Sequence, residues 1–349
     1  MLNNRLPLFM MLLTTLILTA QQAAFSQRIF TIDSLSAKYY AKVKIAECDA
    51  DGYCKGAGWV RVYDRKSGKM LINLASEDLA LWLHDSKVTA NVIELPYGEQ
   101  SVIIYNDFNF DGLKDFAIQD GQNSCYSGPS FQVFLAQGNS FKYNADFTRL
   151  AQEYCGMFEV NAQTKHLSTM TKSGCCWHQY SDFVVENNKP KAVHIVEEDA
   201  MIFPYQETTE QVWKNGKMVS TVSRTIDFSG NGIKPLLSFS LEKSGKKVAL
   251  FMNESSLNYV LMKPDGEIEM AYPLDAADAE NTGFTYDSTS AGQTLTFTNK
   301  QAKYTVFEHN GDAGIMVEIN NKSYYMPGKP GSREGSLQEV LQAKAENVK

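Results

Sequence analysis

After residue 26 the sequence has no apolar run approaching the roughly 20 residues that a membrane-crossing helix needs. It also lacks the short strings that carry common chemistry. There is no Gly-x-Ser-x-Gly elbow, no His-Glu-x-x-His pair and no glycine-rich phosphate loop. Histidine is scarce: the five are His84, His166, His178, His194 and His309, and none has metal-ligand spacing. Cys-x-x-Cys pairs are absent, which removes the usual zinc frameworks. There is no excess of positive charge. The formal net charge is −7, which argues against nucleic acid or an anionic membrane as the main partner. Cysteine is missing from the whole C-terminal third, a first sign of a domain boundary.

What is present begins with an export signal. Arg5 precedes an apolar run from Leu8 to Ala20, followed by the small-residue stretch Ala24, Phe25, Ser26. This is the order of a secretory signal with cleavage near Ser26. No cysteine lies near that point, so no lipid anchor is expected on the mature chain. The expected location is the periplasm or the medium, and the six cysteines then read as disulfides because the compartment oxidises thiols. Cys48 and Cys54 flank an Asp-Gly turn and should bridge each other. Cys125, Cys155, Cys175 and Cys176 leave two solutions open. One is Cys125–Cys155 with a vicinal Cys175–Cys176 bond, which must span Cα atoms only about 3.8 Å apart, below the usual range of about 4.4–6.8 Å. The other pairs Cys175 and Cys176 separately with Cys125 and Cys155. The first is preferred.

From about residue 38 the chain reads as short β-branched and aromatic runs separated by turn residues, as at 58–63, 101–105, 131–135 and 183–185. Helices are expected at 76–84 and 146–154. The segment from Phe228 to Pro235, rich in Gly, Ser and Asn, reads as a linker. Strands follow at 237–241, 248–252, 257–262, 294–297, 304–308 and 314–319. Ser336 and Glu339 form a capping box for a last helix, with Leu337, Val340 and Leu341 on one face. The expected fold is mostly β. A small β-propeller-like or barrel-like domain with an EF-hand-like calcium loop covers 27–228. A second β-rich domain covers 235–349 and ends in a short helix.

The sharpest motif runs from Asp107 to Asp115. Calcium takes six to eight oxygen ligands. Asp107, Asn109, Asp111 and Asp115 offer side-chain oxygens at loop positions 1, 3, 5 and 9, and the Leu113 carbonyl offers another at position 7. Gly112 permits the sharp turn at position 6. The bidentate glutamate of a full EF-hand is missing, since that position is Ile118. A second string, beginning Asp227, Phe228, Ser229, has Pro235 where the last acid belongs and reads as a turn. The string Lys172, Ser173, Gly174, Cys175, Cys176, Trp177, His178 suggests a nucleophile and base. An oxidising compartment argues against a free thiolate there, so no enzyme is expected.

Taken in order, the Asp107–Asp115 loop, Gly128–Phe134, Gly156–Val160 and Lys172–His178 resemble a family of exported bacterial proteins. These are the periplasmic immunity proteins that protect a cell from lysozyme-like effectors of an antibacterial type IV secretion system. The resemblance covers about residues 38–200. It implies a propeller-like scaffold with a calcium loop and a partner that is a lysozyme-like peptidoglycan hydrolase. The chain lacks the family's lipobox and a clean Ser-Gly-x-Tyr inhibitory loop. The nearest string is Tyr126, Ser127, Gly128, Pro129, Ser130, Phe131, with Ser130 in the tyrosine's place. The expected partner contacts are Tyr126, Ser127, Gly128, Ser130 and Phe131. The serines would meet the hydrolase carboxylates, while Tyr126 or Phe131 fills a sugar subsite. The alternative is an envelope-binding module for glycan or protein, with calcium purely structural.

Overall fold

The computed structural model describes residues 28–32, 34–95, 97–273 and 283–349. The expected signal segment, 1–26, lies outside them. Strands make up 61% and helices 6%, so the chain is mostly β. The strands form five antiparallel sheets, each built largely from consecutive segments. The first runs Arg28–Ile32, Tyr39–Cys48, Tyr53–Asp64, Met70–His84, Lys87–Val88. The second runs Ile103–Asn106, Asp115–Gly121, Ser130–Gln137, Ser140–Tyr143. The third is a six-stranded meander from Glu159–Asn161 to Lys217–Ile226. The fourth takes Ile233–Ser240, Lys247–Asn253, Ser256–Met262 and Ile268–Tyr272, and adds Glu334–Gly335 beside its first strand. The fifth runs from Thr285–Thr289 to Lys322–Pro327. Among the described residues no barrel or propeller ring closes; each sheet ends in two edge strands.

The chain divides into two compact units. One holds residues up to Thr171 together with Ser181–Ala192; the other holds Lys172–Tyr180 and Val193–Lys349. The division falls earlier than the 228–235 segment. That segment is a short turn in which Ser229 donates from N and Oγ to Asp227 Oδ1, at 2.9 and 2.7 Å. Ile233 already begins a strand. The ladder shifts register between Pro235 and Leu237, as suits a residue with no N–H to give.

In the first unit, one core gathers around Tyr39, Val43, Val60 and Phe116. A second forms around Phe108, Phe131, Phe147 and Phe158. In the second unit, Tyr259, Phe284 and Phe297 centre the larger core. Asn187–Asn188, Asn215–Gly216 and Asn310–Gly311 occupy tight turns in the left-handed region. Paired positive φ values match the twist of hairpin strands, and asparagine tolerates them best after glycine.

The helix expected at 146–154 forms as Ala145–Glu153. Asn144 caps it, its Oδ1 accepting from Asp146 N and Phe147 N at 3.0 and 3.1 Å. The helix expected at 76–84 does not form. Those residues complete the long strand Met70–His84, which pairs antiparallel with Tyr53–Asp64 through two register shifts. Leu79 and Leu81 face the core while Trp82 faces out, a period of two. The C-terminal helix Leu337–Ala343 forms with Ser336 Oγ accepting from Glu339 N at 3.3 Å. Leu337 and Val340 are buried, but Leu341 is turned outward.

Candidate functional site

The Asp107–Asp115 loop joins the strands Ile103–Asn106 and Asp115–Gly121, closed at its neck by the Asn106–Asp115 pair. Phe108 anchors it. The ring is fully buried, with its centroid 5.3 Å from that of Phe158. Burial of this kind contributes about 2–3 kcal/mol. Gly112 has φ +88° with open space where a Cβ would stand, so the bend needs glycine for its backbone angle alone.

The loop's polar side chains are turned onto its own N–H groups. Asp107 accepts from Asp111 N at 3.1 Å and Gly112 N at 2.9 Å. Asp111 Oδ1 accepts from Leu113 N at 2.7 Å. Asn109 Oδ1 accepts from Asp111 N at 3.3 Å. Asn109 Nδ2 donates to Asp111 Oδ2 and to Asn188 Oδ1, each at 2.9 Å. Asp115 is fully buried and accepts from Phe108 N at 2.9 Å and Ala136 N at 2.8 Å. Burial pushes its carboxyl up to about 6, and the negative Asp111 and Asp107 add to this, against the two N–H bonds. The Leu113 side chain lies exposed at the bend.

Among the described residues, three or more His, Cys, Asp or Glu side chains are nowhere gathered closely enough to hold a metal ion. The donor set nevertheless fits calcium in its chemistry. It offers only hard oxygen donors, one of them the fully buried carboxylate of Asp115. Among the described residues no Lys or Arg makes an ion pair with Asp107, Asp111 or Asp115. Lys114, next in the chain, lies over the Tyr105 ring instead.

The segment expected to meet a partner is split by the fold. Cys125–Ser127 is a single 3-10 turn with Tyr126 at φ 53° and Ser127 at φ 57°, both left-handed. Each non-glycine residue held there costs about 1–2 kcal/mol, so the surroundings must fix it. They do so at three points. Ser124 N donates to Gly128 O at 3.1 Å, and Gly128 N donates to Cys125 O at 3.0 Å. The Cys125–Cys155 disulfide ties the turn to the chain just after the helix. A Cβ on Gly128 would stand 2.9 Å from Ser124 Oγ, so close closure requires glycine there. Tyr126 is 62% exposed, and Ser127 is exposed beside it.

Ser130 and Phe131 lie fully buried at the start of the strand Ser130–Gln137, where no partner can reach them. Ser130 Oγ donates to Asp120 Oδ1 at 2.6 Å and accepts from Asn123. Gln152 Nε2 donates to Asp120 Oδ2 at 2.5 Å. Sequence reading missed Asp120, Gln152 and Asn188, because each is made relevant by a contact across the fold.

All six cysteines are paired: Cys48–Cys54, Cys125–Cys155 and Cys175–Cys176. The vicinal bond takes up the Cys175 and Cys176 thiols, leaving no thiolate beside His178 to act as a nucleophile. The ring of His178 stacks on Tyr180 at 6.5 Å.

No protein-family model matches the chain, and no curated protein matches it. Among solved structures it is similar to a Xanthomonas type IV secretion system related protein. The identity is 22% and the TM-score 0.45, covering 56% of this chain and 94% of that one. A putative 6-phosphogluconolactonase from Bacteroides uniformis shows 10% identity and a TM-score of 0.22, over 85% of this chain and 86% of that one. A prolyl endopeptidase shows 9% and 0.22, over 89% of this chain and 50% of that one. Among the described residues no helix is long and apolar enough to cross a membrane.

Proposed function

We propose that the mature chain is an exported, calcium-binding, non-catalytic protein that blocks a lysozyme-like peptidoglycan hydrolase, with the Tyr126 turn as the inserted element. The observation that carries this is the turn itself: an exposed tyrosine and serine held in left-handed conformation by a disulfide and two backbone bonds. A projection already ordered before contact loses little freedom on binding, and an aromatic tip is the usual anchor. Hydrolases of this class present carboxylates in a sugar-binding cleft. The Ser127 hydroxyl suits those carboxylates, and the Tyr126 ring suits a sugar subsite. The order of motifs set out above supports the same partner. When bound, calcium would be held by Asp107, Asn109, Asp111, Asp115 and the Leu113 carbonyl, and would supply the positive charge that the buried Asp115 lacks.

The test is a turbidity assay of cell-wall lysis by a panel of lysozymes, including any encoded beside this gene. Inhibition by the purified protein, lost in Tyr126→Ala with Ser127→Ala, supports the proposal. An exposed tyrosine beside a hydroxyl also suits a glycan. Binding to purified peptidoglycan with no inhibition of any enzyme would favour an envelope-binding module instead.

A further inference from the structure

We propose that Asn188 is a positioning residue for the cation loop, fixing which end of the Asn109 amide faces the ion. The inference rests on the calcium reading of Asp107–Asp115. Calcium takes oxygen and not an amide N–H. An asparagine side chain carries both, on ends of nearly equal size. A ligand asparagine with nothing to hold it would present the wrong end for part of the time.

Asn109 is only 9% exposed, so bulk water does little to correct a flipped amide. Two acceptors hold its Nδ2, Asp111 Oδ2 and Asn188 Oδ1, both at 2.9 Å. Asp111 is itself one of the expected ligands, and its carboxylate is needed by the ion. Asn188 is then the anchor that stays outside the coordination sphere. Partners of this kind orient metal ligands generally, and removing one typically costs about 10–100-fold in affinity.

Asn188 is itself well placed to hold still. It sits in the two-residue turn with Asn187, at φ 57°, between the strands Trp177–Glu186 and Lys189–Asp199. Its carbonyl accepts from Asn144 Nδ2 at 3.3 Å, and Asn144 caps the neighbouring helix. Glycine would serve the turn's backbone equally well. The side chain is what Asn188 adds, and its oxygen points at Asn109. The loop also has few donors to spare, because Ile118 stands where a full EF-hand has its bidentate acid.

Calcium chloride titrated calorimetrically into the chelator-stripped full mature chain tests this. Asn188→Gly keeps the left-handed turn and removes the acceptor; it should bind calcium about 10–100-fold more weakly than wild type. Asn188→Asp keeps an acceptor and should bind within a few-fold of wild type. In an Asn109→Asp background both ends of the ligand are oxygen, so adding Asn188→Gly should then change little. A purely structural role for Asn188 would carry its penalty into that background undiminished. Wild-type affinity in Asn188→Gly overturns the inference while leaving the calcium reading intact. So does a full penalty in the Asn109→Asp background, or no recovery in Asn188→Asp. Absence of calcium binding by wild type overturns the calcium reading and this inference together.

Discussion

The hydroxyl of Ser130 donates to Asp120 Oδ1 at 2.6 Å, across the neck of the turn that carries Tyr126. The hydroxyl, which also accepts from Asn123 N, is thereby committed inside the fold. Ser130→Ala should lower stability by about 1–3 kcal/mol, the cost of leaving a covered polar group short of a partner. Tyr126→Ala removes a side chain that is 62% exposed and should cost less than Ser130→Ala. Urea denaturation of the two variants, with midpoints and slopes compared, checks both. Equal stabilities would mean the Asp120 bond does not hold the turn.

Two of the three disulfides, which close loops of different length, should differ in weight. Cys125–Cys155 spans 30 residues and Cys48–Cys54 spans 6. Chain-entropy reasoning gives about 3–4 kcal/mol for the first and about 2 kcal/mol for the second. Paired Cys→Ser replacements, unfolded in denaturant without reductant, should follow that order. Thiol titration of the purified protein should find no free cysteine.

Calcium should raise the melting temperature, since an ion that binds only the folded state stabilises it. Exported modules bind calcium at about 10⁻⁴–10⁻³ M, so millimolar calcium is the range to scan. Asp111→Ala should abolish the shift. A wild-type melting curve identical in calcium and in chelator would remove the ion from this account.

His84 offers a pH-dependent contact away from both sites. Its Nε2 lies 2.9 and 2.7 Å from the two Glu99 oxygens, and that bond and charge raise its pKa above 6.5. The sign follows from linkage. The contact stabilises fully below the unfolded value near 6.5 and is lost as pH rises through the higher folded value. An NMR titration of the ring should place its midpoint above 6.5, and Glu99→Gln should bring it back down.

Local chemistry was legible wherever the responsible residues are neighbours in sequence. Ser336 and Glu339 announce their helix, the apolar spacing of Phe147, Leu150 and Tyr154 announces another, and Gly112 marks its bend. The second half of the strand Met70–His84, residues 76–84, reads as a helix because Leu, Ala and Glu favour helices when nothing else decides. Pairing along Tyr53–Asp64 decided otherwise, and the alternation of Leu79, Leu81 and Leu83 was the signal available. Phe131 was legible as the start of a strand, and the structure begins that strand one residue earlier, at Ser130; the expectation that Ser130 and Phe131 also meet a partner fails because both side chains point into the core. Asn188 was legible as a turn residue only, since no sequence pattern says that a turn at 188 meets a side chain at 109.

The turn at Tyr126 separates what grips from what is gripped. Cys125, Gly128 and Ser130 answer to the interior, whereas Tyr126 and Ser127 present their side chains at the surface. Selection can therefore rewrite the two outward positions without disturbing the foundations beneath them. On the proposed inhibitory reading, a changed target cleft could be met by exchanging residues 126 and 127 while the rest of the chain kept its shape.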